Sequence, residues 1–408
     1  MKHTIILFIA FLMLFSCTKE ETLIQYRTLT ETIEVEVPGE TITVVETVTI
    51  NNILPPYAYS FTREGVSTVY YTGQSARLEM AQEISSALNN ETFTADEIDS
   101  MFNLGIGFSN TDLDASGKKI GNKTAAYGSA TIKPIFDNWI IEVVSDVFPA
   151  WNSDATAGVP GQITDAGGGR TARVNGKGLE INQAFTKSLI GAHALDQIVN
   201  GYLDKSAKLD AVEADNDADV FHYTSPGSSE ENVTKMEHYW DEGFGYLYGL
   251  DNQTYPELGK GVLLNKYLSK VDATDEPGIA KVIYDAFSLG RAAIVNKDYE
   301  LRDAQAAIIK SNLSKVIGYK AAYYMRSGAD YLTAGTYADA FHALSEGYGF
   351  ILSLQFTKNE NGVPYMTKDE VDTLLNSLME GNGFWDRTPE ELTAIAVQIE
   401  SATGLISN

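Results

Sequence analysis

The chain has a single cysteine, Cys17, in 408 residues. No disulfide can form within one copy, and a zinc site built on cysteine pairs is excluded. Basic residues are scarce too: 30 Lys+Arg stand against 55 Asp+Glu, for a formal net charge of -25. Such a surface repels phosphate-rich partners, and no basic run offsets it, so nucleic acid is excluded as a partner. The Gly-x-Ser-x-Gly elbow is missing, and a Cys–His nucleophile cannot be built in the body. What remains is ordinary for a folded protein, with 44% hydrophobic and 21% charged residues.

Residues 1–16 read as an address. Lys2 and His3 give a polar start, and Ile5 to Phe15 is an apolar run about half as long as a membrane span. It ends Leu14-Phe15-Ser16-Cys17, which resembles the lipobox of bacterial lipoproteins. Cleavage before Cys17 and acylation there would tether the chain to a membrane. The following Thr18-Lys19-Glu20-Glu21 is similar to the surface-export signal of some Bacteroidota lipoproteins, which implies an outer-membrane lipoprotein facing the cell surface.

Residues 17–56 form a Thr/Val/Glu-rich stalk. Ile33, Val35 and Val37 alternate with polar residues, Pro38-Gly39 turns the chain, and Ile42 and Val44 resume the alternation. A two-stranded hairpin is marginal alone, so an extended spacer on the order of 130 Å long competes with it. From residue 57 to 408 the period becomes helical. Leu78, Ala81, Ile84 and Leu88 share one face, as do Ile181, Ala184, Phe185, Leu189 and Ala192. Capping boxes at Thr94/Glu97, Ser228/Glu231, Thr367/Glu370 and Thr388/Glu391 mark helix starts. Further helices are expected near 131–147, 257–270, 278–295, 299–326 and 336–356, with long loops at 105–128 and 152–178. The fold class is therefore all-α, a duplicated bundle of about ten helices.

The duplication is written in one motif. His238-x-x-x-Glu242-Gly243-Phe-Gly245-Tyr-Leu recurs as His342-x-x-x-Glu346-Gly347-Tyr-Gly349-Phe-Ile. About a hundred positions separate the copies, too many for a solenoid and suited to a repeated helix pair or bundle. In each copy His and Glu share a helical face. Two mid-helix glycines cost about 1 kcal/mol each, so a close helix crossing should compensate. The expectation is that the copies pack face to face through Gly243, Gly245, Gly347 and Gly349, bringing both His–Glu pairs together. Gly191-Ala-His193-Ala-Leu-Asp196 adds a third His–acid face. Neutral imidazole with carboxylate suits zinc, iron or manganese. The competing reading is a hydrogen-bonded structural core without any ligand. Weaker patterns fail on one residue each. The Asp112/Asp114 run has Lys123 where a calcium loop needs Glu, and Gly176-Lys177-Gly178 lacks the P-loop hydroxyl. Gly167-Gly-Gly169 has no strong strand before it, and Asp215, Asp217 and Asp219 read as a solvated turn.

Met236-Glu-His-Tyr-Trp-Asp-Glu-Gly-Phe-Gly-Tyr246 resembles the signature of a Bacteroidota lipoprotein family known as domain of unknown function four-eight-five-six. Tyr71-Thr-Gly-Gln-Ser-Ala-Arg-Leu78 and Gly121-Asn-Lys-Thr-Ala125 are similar to it as well. A more distant likeness is to imelysin-like proteins, whose Gly-x-His-x-x-Glu is matched by Gly191, His193 and Asp196, with Asp replacing Glu. The resemblance implies an accessory in iron, haem or metal acquisition beside an outer-membrane uptake receptor, a binding protein rather than an enzyme. The alternative is a glycan- or protein-interaction lipoprotein whose tyrosines form the contact surface. A metal-dependent hydrolase using His238 and Glu242 is the minor reading.

If Cys17 is the lipid attachment point, Cys17→Ala should move the protein from the membrane fraction into the soluble one. It should also abolish incorporation of a labelled fatty acid; retained label would refute the assignment.

Overall fold

The computed structural model describes residues 23–37, 40–165, 169–250, 258 and 261–407, with side chains from Ile53 onward. The leader and Cys17 lie outside the described residues. Leu23–Val37 and Glu40–Leu54 pair as antiparallel strands in a register that sets Val37 against Glu40. Ile53, where the second strand ends, is buried beside the helical body.

The body is all-α, with thirteen α-helices among the described residues. Its spine is Tyr299–Ala334, a 36-residue helix capped by Asp298 and ended by Gly335 in the left-handed conformation. Around it pack Ile279–Val295, Tyr337–Ser353 and Pro389–Thr403. A second layer holds Thr72–Ala87, Ile181–Leu189 and Lys235–Tyr248. One apolar core runs through both layers, and its largest fully buried side chains include Trp240, Tyr246, Tyr267 and Phe350.

Three expected capping boxes close as read: Thr94/Glu97, Thr367/Glu370 and Thr388/Glu391. The fourth does not. Ser228 turns back to the carbonyl of Glu230, and the helix starts six residues later, on a box between Thr234 and Glu237. Both sites fit the Thr/Ser-x-x-Glu pattern. Only the second is followed by a helix that can bury Met236, Trp240 and Phe244. The expected 152–178 loop contains a short antiparallel pair, Gly161–Thr164 with Thr171–Val174.

The glycines of the two motif copies do serve close crossings, but not with each other. A Cβ on Gly245 would lie 2.5 Å from Tyr71 Cβ and 3.0 Å from Gln74 Cβ, on the Thr72–Ala87 helix and its N-cap. One on Gly349 would lie 2.7 Å from the Ser188 nitrogen and 2.9 Å from the Ala184 oxygen, on Ile181–Leu189. Gly243 abuts Leu203 and Tyr202, and Gly347 abuts Tyr324 and Met325. The repeated unit is thus a motif helix plus its own earlier partner helix, and face-to-face packing of the two motifs is replaced by two parallel arrangements. Because two of the Gly349 neighbours are backbone atoms and the third is the Lys187 Cβ at 2.5 Å, they cannot rotate aside. Gly349→Leu should cost about 1–3 kcal/mol or more by overpacking. A melting midpoint equal to wild type would contradict this crossing.

Candidate functional site

Each motif glutamate is held from its partner helix and by tyrosine hydroxyls, one in the first copy and two, Tyr267 and Tyr324, in the second. In the first copy Gln74 Nε2 donates to Glu242 Oε1 at 2.7 Å, and the Tyr202 hydroxyl donates to the same oxygen at 3.2 Å. In the second copy Lys187 Nζ and the Tyr267 hydroxyl both reach Glu346 Oε1 at 2.9 Å. The histidines are anchored at Nδ1, His238 at 3.1 Å from the Tyr70 carbonyl oxygen and His342 at 2.7 Å from Glu180 Oε2. Their Nε2 atoms stay 3.7 Å and 3.9 Å from the glutamates of their own motifs. The His238 ring sits between Tyr70 and Tyr223, with ring centroids 5.0 Å and 4.1 Å away.

The charge balance differs between copies. Burial alone would raise the Glu346 carboxyl, but Lys187 and His342 overcome it and hold the group at about 2. That pair is a closed ion pair. In the first copy the partner is the neutral Gln74, and among the described residues no cation lies within hydrogen-bond reach of Glu242. His238 is pushed down by burial, with Glu242 opposing the shift.

The four motif residues do not form one site. His238 and Glu242 share their neighbours with Thr72–Ala87, whereas His342 and Glu346 share theirs with Ile181–Leu189. Among the described residues no group of three or more His, Cys, Asp or Glu side chains is arranged to hold a metal ion. Each glutamate also has an oxygen committed to N–H and O–H donors, which compete with a cation. The expected His238, Glu242, His342 and Glu346 metal quartet therefore does not fit this geometry.

His193 and Asp196 lie on the Ile190–Tyr202 segment, where the helix widens to π-type turns. Such wide turns are rare and concentrate at functional sites. The two side chains are fully buried but do not bond each other. Asp196 Oδ2 accepts from the Tyr127 backbone N–H at 3.0 Å and its Oδ1 from Asn200 at 3.1 Å. Among the described residues neither ring nitrogen of His193 has a hydrogen-bond partner, and its ring stands edge-on to Tyr246 at 5.2 Å.

Sequence reasoning missed the residues that surround Glu242. Arg77 is buried, donates to the carbonyls of Lys119 (3.1 Å) and Gly73 (3.1 Å), and has no carboxylate partner among the described residues. Lys118 reaches over Gly73 toward the same guanidinium. Lys123 lies over the Tyr202 ring at 5.9 Å, and Lys208 over Tyr202 and Tyr239 at 5.7 Å and 4.7 Å. These cations are scattered through the sequence, so no local run announces them.

The chain belongs to the family described as Domain of unknown function (DUF4856), whose model matches residues 56–406. No curated protein and no solved structure gave a match. Among the described residues no helix is long and apolar enough to cross a membrane.

The buried His193 makes a pH prediction. Burial drives its imidazole down to about 3, with Arg77 adding to the effect. The same group titrates near 6.5 in an unfolded chain. Between those values the unfolded state binds a proton that the fold refuses. Its share of stability is full above ~6.5 and drains as pH falls toward ~3. Asp196 has the opposite sign: burial raises it to about 6, so the folded carboxyl keeps its proton longer and gains as pH falls below that value. Removing His193 isolates its share. From about pH 7 to about pH 5, His193→Leu should lose about 2 kcal/mol less stability than wild type in denaturant melts. Equal losses would mean that the imidazole is solvated in the fold.

Proposed function

We propose that this protein is a membrane-tethered binding protein that captures a small molecule at the half-buried surface over His238 and Glu242, a cleft in this reading. The observation that carries the reading is the asymmetry between the two repeats. The second copy seals its glutamate with Lys187. The first puts neutral Gln74 in the equivalent place and leaves Lys118, Lys123 and Lys208 nearby without an ion-pair partner among the described residues. A structural core needs only the sealed arrangement. The open copy keeps charge and aromatic surface at a half-buried position, as ligand sites do. Anchoring through Cys17, with residues 17–56 as a spacer, would hold this cleft away from an outer membrane and within reach of an uptake receptor. Service to iron or haem uptake would then run through that receptor rather than through the His–Glu pairs.

The second repeat supplies its own test. Gln74→Lys copies the Lys187–Glu346 pair into the first repeat, so the variant should stay folded while its cleft closes. In a thermal-shift screen of metabolites, compounds that raise the wild-type melting temperature should lose that effect in Gln74→Lys. Equal stabilisation of both proteins would place binding elsewhere.

A further inference from the structure

An arginine removed from water is normally paired, because an isolated buried charge costs several kcal/mol. Arg77 is 7% exposed, and its bonds go to two backbone carbonyls. A Cβ built on Gly73 would lie 3.4 Å from Lys118 Nζ and 3.6 Å from Arg77 NH1, so two cations crowd one residue. Lys123 stands nearby, its ammonium weakened by burial and then by the positive fields of Arg77, Lys208 and Lys118, with Glu242 opposing them. Arg77, Lys118 and Lys208 thus all lie close enough to act on Lys123, with the Glu242 carboxylate also near it, in a chain of net charge -25. That carboxylate already accepts from Gln74 and Tyr202. None of the four cations has an ion-pair partner among the described residues.

The aromatic faces narrow the class. Tyr239 lies half-buried under Lys208, and half-buried Tyr70 and Tyr223 flank His238, so phenol rings border these cations, with buried Tyr202 beneath them. Ring faces suit the C–H surface of a sugar, and the Glu242 carboxylate can accept bonds from sugar hydroxyls. The overall acidity disfavours a polyanion, whose charges beyond the cleft would meet a negative surface.

Resting on the binding role proposed above, we infer that the ligand is a small acidic saccharide, its carboxylate set among Arg77, Lys118, Lys123 and Lys208 and its ring against the tyrosines. The carboxylate completes the pairing of Arg77, while Glu242 reads hydroxyls on the opposite edge.

The test is calorimetric titration of the folded chain with D-glucuronate, D-galacturonate and N-acetylneuraminate. Glucose and galactose serve as neutral controls, and sulfate as a charge-only control. At least one acid should bind. Its affinity should fall about tenfold or more in Lys123→Gln, and again when salt rises from about 50 to about 500 mM. Lys208→Gln, at a more open position, repeats the measurement should Lys123→Gln fail to fold. Sulfate binding as tightly as the acids would overturn the saccharide class. Neutral sugars binding as tightly as the acids would overturn the anion while leaving the binding role standing. Silence from every probe overturns the inference, and the Gln74→Lys screen then decides the binding role separately.

Discussion

Arg291 holds the first repeat together. It is fully buried, with NH1 3.0 Å from Glu237 Oε1, Nε 3.0 Å from Asp241 Oδ1 and NH2 3.2 Å from the Thr68 hydroxyl. Asp241 also accepts from the Tyr59 hydroxyl at 2.6 Å and the Tyr70 backbone N–H at 3.1 Å. One guanidinium thus fixes three pieces of chain: the segment from Tyr59 to Tyr70, the motif helix and the Ile279–Val295 helix. Burying it costs desolvation, visible at Asp241, which burial raises to about 6 despite the adjacent cation. An apolar replacement of the whole network could be as stable. What the charges add is register, since Tyr70 must sit where its carbonyl meets His238. The crossing beside it is equally specific: a Cβ on Gly290 would collide with the Trp240 ring, whose Nε1 donates to the Phe287 carbonyl at 2.8 Å.

The second repeat reaches the same helix geometry by different means. Phe341 and Ser345 stand where the first copy has Glu237 and Asp241. Phe341 packs against Phe384 and Trp385, and the Ser345 hydroxyl accepts from the Glu180 backbone N–H at 2.8 Å. Aromatic packing replaces the buried ion network there, and an ion pair replaces the neutral Gln74 contact. The two copies have exchanged where they place charge. In the second it lies within the repeat and is neutralised. In the first it ties the repeat to Arg291 on one face and meets neutral Gln74 on the other.

Much of this architecture was legible in the sequence. Helical periodicity located the helices, three capping boxes their starts, and the repeated Gly-aromatic-Gly announced crossings that Gly245 and Gly349 do make. The choice of partner was not legible, because a glycine announces a close approach without naming what approaches. The Ser228 box failed for a related reason: capping chemistry is local, and the burial that selects between Ser228 and Thr234 is not. Arg291 did leave a signal, one arginine within the apolar run from Ala286 to Val295, which demands a buried acid. Glu237 and Asp241, four apart beside the histidine, were that acid pair. Attention to His238 and Glu242 hid them.

The cation cluster is the harder case, since whole-chain charge argues against it. A net charge acts at long range, where physiological salt screens it within about 8 Å. Inside a half-buried cleft the nearest charges decide, and they interact through a medium less polarisable than water. An acidic chain can therefore bind an anion wherever folding gathers enough of its scarce cations. Arg77, Lys118, Lys123 and Lys208 come from a helix, a loop, a single turn of 3₁₀-helix and a wide-turn helix. For the ligand inferred above, the acidic exterior would act as a filter that a small singly charged molecule passes at modest cost and an extended polyanion does not. Composition speaks to the long-range field and is silent on such a cluster, because the cations that form it are brought together only by folding.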